Sequence, residues 1–166
     1  MNNQNILNII NENIIDILEK TAFMFPAPLD MSSGVSLDDM EFVLTKLDFI
    51  GNNTGEIKMI LPVEFCIELS ANLLGEEIEN VNPEENNYDS AKELLNIVSG
   101  QIITGLYGTE VLYQLVNLEV NAISKDEIYE MLEVSEYHGC MVDDYPIFTI
   151  FTLQEVKTDE HKSISR

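Results

Sequence analysis

The stretch Asp89-Ser-Ala-Lys-Glu93-Leu-Leu-Asn96-Ile-Val-Ser-Gly100 constrains this chain more than any other. At about 100° per residue, Ala91, Leu94, Leu95, Val98 and Ile102 line up as one apolar stripe. Such a stripe must be buried against another layer, so the helix is a core element with one face left over. Asp89, Glu93 and Asn96, spaced i, i+4 and i+7, fall within roughly 60° of one another on that remaining face. Gly100 comes round beside them. A glycine inside a helix costs about 1 kcal/mol relative to alanine, a cost tolerated where another backbone must come close. A face of Glu, Asn and Gly suits docking and water positioning better than it suits a stable solvated surface.

The flanking sequence supplies the layer. Phe42–Ile50 and Gly55–Leu61 read as strands joined by the turn Gly51-Asn-Asn-Thr-Gly55, which predicts an antiparallel hairpin. Pro62 opens a helix through Leu74, and Gly75 stops it. The polar segment Glu76–Asn87 reads as a surface loop, and the motif helix runs from about Pro83 to Leu106. Upstream, apolar spacing predicts a helix over Ile6–Phe25 that Pro26 and Pro28 end, followed by a loop over Leu29–Asp39. Downstream, Val111–Ile123 reads as one strand or two short ones. Ser124 and Glu127 form a capping-box pattern for a helix through Met131. Glu136–Val142 and Ile147–Val156 read as the last two strands. Helices and hairpins are mixed without strict βαβ alternation. The expected class is therefore α+β, an antiparallel sheet with helices packed on one face. The expected domain is residues 1–156, with a polar tail over 157–166.

Composition narrows the partners. The 166 residues include 30 acidic and 8 basic side chains, a formal charge of −22. Phosphate backbones would be repelled, which excludes nucleic acid, and anionic membrane surfaces are disfavoured likewise. A partner with an exposed Lys or Arg would be steered inward. The plainer account of the charge is solubility. Cys66 and Cys140 make no disulfide framework, and Cys66 reads as a small core residue. The start Met1-Asn-Asn-Gln-Asn-Ile6 lacks the features of a signal peptide, and no window is apolar enough to span a bilayer. A cytoplasmic location is expected.

Spacing alone leaves the Asp89–Glu93–Asn96 face with an ordinary explanation, since solvated helices carry such residues. Asp89 would also favour the helix dipole. Asn96 is harder to dismiss, because asparagine is a mediocre helix former and in mid-helix usually has a partner or a task. His138-Gly-Cys140 with Asp143 and Asp144 matches no zinc spacing, so no metal is expected there. His161 falls in the tail. No phosphate-binding glycine loop and no nucleophile elbow is present.

With these residues in view, Glu93-Leu-Leu-Asn96-Ile-Val-Ser-Gly100, preceded by Asp89, resembles the signature helix of the CheC/CheX/FliY phosphatases of bacterial chemotaxis. The preceding Pro62–Gly75 helix and the hairpin-helix-helix-strands order resemble CheX in particular. Two departures stand out. The first helix reads Asp16-Ile-Leu-Glu19-Lys-Thr-Ala22, with alanine where a second Glu-x-x-Asn motif needs asparagine, so one site per chain is implied, as in CheX rather than CheC. The segment Leu118-Glu119-Val120 lacks the proline usual in the strand after the signature helix.

The resemblance implies a CheC-like fold and hydrolysis of the aspartyl phosphate of a CheY-type response regulator, in chemotaxis or two-component signalling. It implies Glu93 and Asn96 as catalytic residues, and Asp89 and Gly100 as partner-binding residues. It implies no cofactor of the chain's own, Mg²⁺ being supplied by the phosphorylated receiver, and a homodimer. The alternatives are a non-catalytic receiver-binding module and a structural component of a signalling or motor assembly.

Overall fold

The hairpin organises the molecule. In the computed structural model, which describes residues 3–29 and 35–154, the two strands are β2 (Phe42–Ile50) and β3 (Thr54–Pro62). They pair antiparallel from Phe42↔Pro62 to Ile50↔Thr54. Alternation sends Val43, Leu47 and Phe49, with Ile57, Met59 and Leu61, to one face of the sheet. Gly55 is required at the turn end. A Cβ there would lie 2.3 Å from the Thr152 carbonyl oxygen and 2.5 Å from the Phe49 ring.

Pro62 has extended backbone and precedes α2 (Val63–Leu74), which stops at Gly75 in the left-handed region, φ 67°. A 3₁₀ turn at Ile78–Asn80 breaks the acidic loop. The motif helix, α3 (Pro83–Tyr107), follows with 25 residues, one residue beyond its predicted end. Gly108 at φ 87° then reverses the chain. Next come β4 (Gln114–Ile123), α4 (Lys125–Val134), β5 (Tyr137–Val142) and β6 (Tyr145–Gln154). The Ser124–Glu127 capping box forms in full and starts α4.

The N-terminal reading needs correction. The helix α1 (Asn3–Ile17) does not run to Phe25. It widens into a π-helical turn at Leu18–Ala22 and ends on Phe23 in the left-handed region, φ 55°. The Leu18 carbonyl accepts from the N–H groups of both Phe23 and Met24. This widened turn brings Met24 into the core. Pro26 and Pro28 do not end a helix. They lie in a short strand, β1 (Pro26–Pro28), paired with β5. Proline is confined to sheet edges because it lacks an N–H, and β1 is an edge strand. Part of the expected loop over Leu29–Asp39, and the tail with His161, lie outside the described residues.

The sheet order is β1-β5-β6-β3-β2-β4, antiparallel throughout. This is the α+β class expected. The first three helices cover one face, where Ile10, Ile14 and Leu18 meet Phe65, Leu69, Leu95, Val98 and Ile102 over the sheet side chains. The other face carries a smaller cluster, in which Ile128 of α4 joins Leu37, Phe42, Ile60 and Phe148. Beyond that cluster it is polar, with Glu56 bridging Lys46 at 3.0 Å and Lys58 at 2.5 Å. Val111–Ile123 resolves into one strand with an irregularity. Lys46 pairs with Glu119 but Asp48 with Val116, so Asn117 and Leu118 both oppose Leu47. Asn117 takes φ 54°, and its amide donates to Asp48 Oδ2 at 2.8 Å. From Glu119 onward the ladder is regular without the family proline.

Candidate functional site

The stripe on α3 is buried as its spacing predicts. Ala91, Leu95, Val98 and Ile102 are fully covered and Leu94 nearly so. Ser90 is buried as well, and its hydroxyl donates to the Cys66 carbonyl of α2 at 2.9 Å. Sequence reasoning gave Ser90 no role, because this acceptor lies on a neighbouring helix. Gly105 was also missed. A Cβ there would sit 3.0 Å from Ile9 Cγ2 and 3.3 Å from Asn13 Nδ2, so this glycine lets α1 lie against α3. The motif helix is thus held by α1, α2 and the sheet together.

The opposite face is open. Asp89, Glu93 and Asn96 are all exposed. Asp89 pairs with Lys92 at 3.6 Å, the two side chains being 77% and 40% exposed. A loose surface pair of that kind contributes little. Among the described residues, no hydrogen bond or ion pair engages the side chain of Glu93 or Asn96. Gly100 distinguishes two roles for a helix glycine. A methyl group at this position would meet nothing within 4 Å outside its own helix turn. Among the described residues, no other element therefore packs against the position of a side chain at Gly100, so internal packing does not account for the glycine. The four residues therefore share one unobstructed surface on a rigid support.

The first helix offers no equivalent surface. Glu19 is exposed, but Ala22 is buried and packs with Thr21, Leu69, Leu73, Leu94 and Ile97 around a small gap between the helices.

His138 and Cys140 share the sheet face toward α1. Burial holds the His138 imidazole below its ordinary range and pushes the thiols of Cys66 and Cys140 up to about 12. Among the described residues, His138 Nε2 has no hydrogen-bond partner although it is buried. Among the described residues, no group of three His, Cys, Asp or Glu side chains is placed to hold a metal ion. Likewise, no helix is long and apolar enough to cross a membrane.

The family model described as Chemotaxis phosphatase CheX matches residues 43–143, more than half of the 166 residues and the whole of the α3 motif. The chain belongs to the CheX family. No curated protein matches the sequence. Solved CheX structures share the fold at low identity. The chemotaxis protein CheX of Desulfovibrio desulfuricans is 17% identical with a TM-score of 0.64, covering 90% of this chain and 99% of its own. CheX of Vibrio vulnificus is 14% identical with a TM-score of 0.64, covering 90% and 96%. The CheX–CheY–BeF₃–Mg²⁺ complex of Borrelia burgdorferi is 15% identical with a TM-score of 0.60, covering 90% and 97%. The CheX-like order of hairpin, two helices and strands is therefore realised across nearly the whole chain.

Proposed function

We propose that this chain hydrolyses the aspartyl phosphate of a CheY-type receiver, with Glu93 and Asn96 entering the receiver's phosphorylation site. One observation carries the reading. Among the described residues, Glu93 and Asn96 stand exposed and unpartnered on a helix anchored by its other face, beside a glycine whose added Cβ would meet nothing within 4 Å. Family membership and the CheY found with a CheX relative supply the partner class.

The chemistry asks little of the phosphatase. An aspartyl phosphate is an acyl phosphate. Water attacks phosphorus in line, the bond from phosphorus to the carboxylate oxygen breaks, and aspartate and inorganic phosphate result. Such transfers depend on positioning and charge neutralisation rather than on covalent help. The receiver brings Mg²⁺ and a lysine beside the phosphate. Asn96 orients the attacking water through its carboxamide, which accepts and donates without adding negative charge near the phosphoryl group. Glu93 pairs with the receiver's lysine and sets the register. Asp89 supports docking, and Gly100 lets the receiver backbone come close.

The test is phosphate release from a Mg²⁺-loaded, phosphorylated CheY-type receiver, with and without this protein. Acceleration that depends on Asn96 is the expected result. Receiver binding without acceleration would favour the non-catalytic module instead.

A further inference from the structure

Beside this face, α2 and α3 leave an open depression of about 230 Å³, lined by Ser70, Leu73, Leu74, Asp89, Ser90 and Glu93. Leu74 is 58% exposed at the last residue of α2. Gly75 then turns the chain into the exposed pair Glu76-Glu77. A single exposed leucine is unremarkable on any surface. This one lies in a concavity whose wall includes Glu93, with Asp89 on the same helix face and two more carboxylates following it in the chain.

We infer that this depression is a specificity pocket for the receiver, taking one aliphatic or aromatic side chain that lies next to a lysine or arginine on the partner. The inference rests on the functional reading above, which brings the receiver to the exposed face of α3. Continuity places the pocket in that contact. Glu93 forms its wall and is also the group that pairs with the receiver's lysine, so a receiver seated on Glu93 covers the depression. Size fits as well. A cavity of about 150 Å³ holds benzene, so one phenyl- or leucine-sized group fits within this space. Charge selects what surrounds that group. Asp89 and Glu93 line it and the exposed Glu76 and Glu77 follow Leu74 in the chain, with Lys92 paired to Asp89 at 3.6 Å, so an acidic neighbour would be repelled and a basic one attracted. An apolar anchor inside a polar rim is the arrangement that concentrates binding energy in an interface.

The pocket acts on binding rather than on the chemical step. At about 1.5 Å per residue, Asn96 lies roughly one turn beyond Glu93, and the depression lies on the near side. Leu74 therefore does not reach the attacking water.

The experiment titrates wild-type protein and two variants with a CheY-type receiver loaded with Mg²⁺ and BeF₃, and measures KM and kcat with the phosphorylated receiver. Leu74→Ser replaces an apolar wall of the pocket with a small polar one. Val134→Ser removes a more exposed apolar residue, 83% accessible, from α4. Thermal unfolding checks that each variant is folded. The expected result is an approximately tenfold loss of affinity for Leu74→Ser, matched by a rise in KM at constant kcat, with Val134→Ser unchanged. Wild-type affinity in Leu74→Ser overturns the pocket and leaves the phosphatase reading intact. Equal losses in both variants overturn it too, because the effect would then not be local. A wild-type protein that neither binds nor dephosphorylates the receiver overturns both readings.

Discussion

The Ser90 hydroxyl donates to the Cys66 carbonyl across 2.9 Å, and this contact locks α3 to α2 one residue past Asp89. A helix pinned there cannot easily roll, so the exposed face keeps its direction. Positioning is worth orders of magnitude in rate only when the support is fixed in this way.

Asn96→Ala should therefore lower the rate of receiver dephosphorylation by on the order of 10²-fold, as other losses of positioning do. Fold and receiver affinity should stay close to wild type, because Asn96 is exposed and alanine is the better helix former. Single-turnover phosphate release and a binding titration check the two halves. A wild-type hydrolysis rate in this variant would sink the mechanism.

Glu93→Ala should weaken binding as well as rate. Removing one partner of a desolvated charge pair costs roughly 2–5 kcal/mol. Glu93→Gln should be milder, because its amide still accepts a hydrogen bond. Isothermal titration of both variants with a BeF₃-loaded receiver decides the matter, and unchanged affinity in both would place Glu93 outside the interface.

Gly100→Leu should raise the melting temperature and block the receiver. Helix propensity favours leucine by several tenths of a kcal/mol, and an added Cβ at Gly100 would meet nothing within 4 Å. A stable variant with normal affinity would remove the close-approach role from Gly100.

Glu68 provides a pH test away from the site. Burial, and then the Asp143 carboxylate, push its carboxyl above the usual glutamate range. The native state therefore holds this proton more tightly than the unfolded chain, and stability falls as pH rises through the window between the two values. Glu68→Gln removes the ionisation. Its melting temperature should exceed that of the wild type at pH 7, and the difference should shrink toward pH 4. A gap that is constant across this range would mean that Glu68 acts through packing.

Phe23 holds a left-handed backbone and is 74% exposed. Little burial offsets the steric cost, which is about 1–2 kcal/mol for an L side chain. Phe23→Gly keeps the N–H that donates to Leu18 and should stabilise the fold by about 1 kcal/mol in chemical denaturation. Destabilisation would show that the ring contributes more than its exposure indicates.

Local pattern was legible wherever one residue type answered to one geometry. Alternation marked β2 and β3, the Pro62–Gly75 pair bounded α2, and Ser124 with Glu127 announced α4. Helical spacing likewise put Asp89, Glu93 and Asn96 on an exposed face. What escaped depends on neighbours distant in sequence. Pro26–Pro28 read as a stop because its partner, Cys140–Val142, lies more than a hundred residues away. Gly105 is explained by Ile9 and Asn13. The acid-rimmed depression exists only because Leu74 ends one helix beside the middle of another. The π-helical turn left no compositional trace, since its hydrogen bonds are set by how Met24 reaches the core.

The two outer strands of the sheet also bear on how the protein behaves when crowded. At one margin, β1 has proline at two of its three positions and so lacks two of the donors another strand would need. At the other, the irregularity at Asn117 and Leu118 breaks the even spacing that a long, flat partner requires. Neither border is a uniform template for full-length strand addition. Together with the charge of −22, this leaves the chain poorly suited to seeding fibrils, even though apolar strands make up the middle of its sheet.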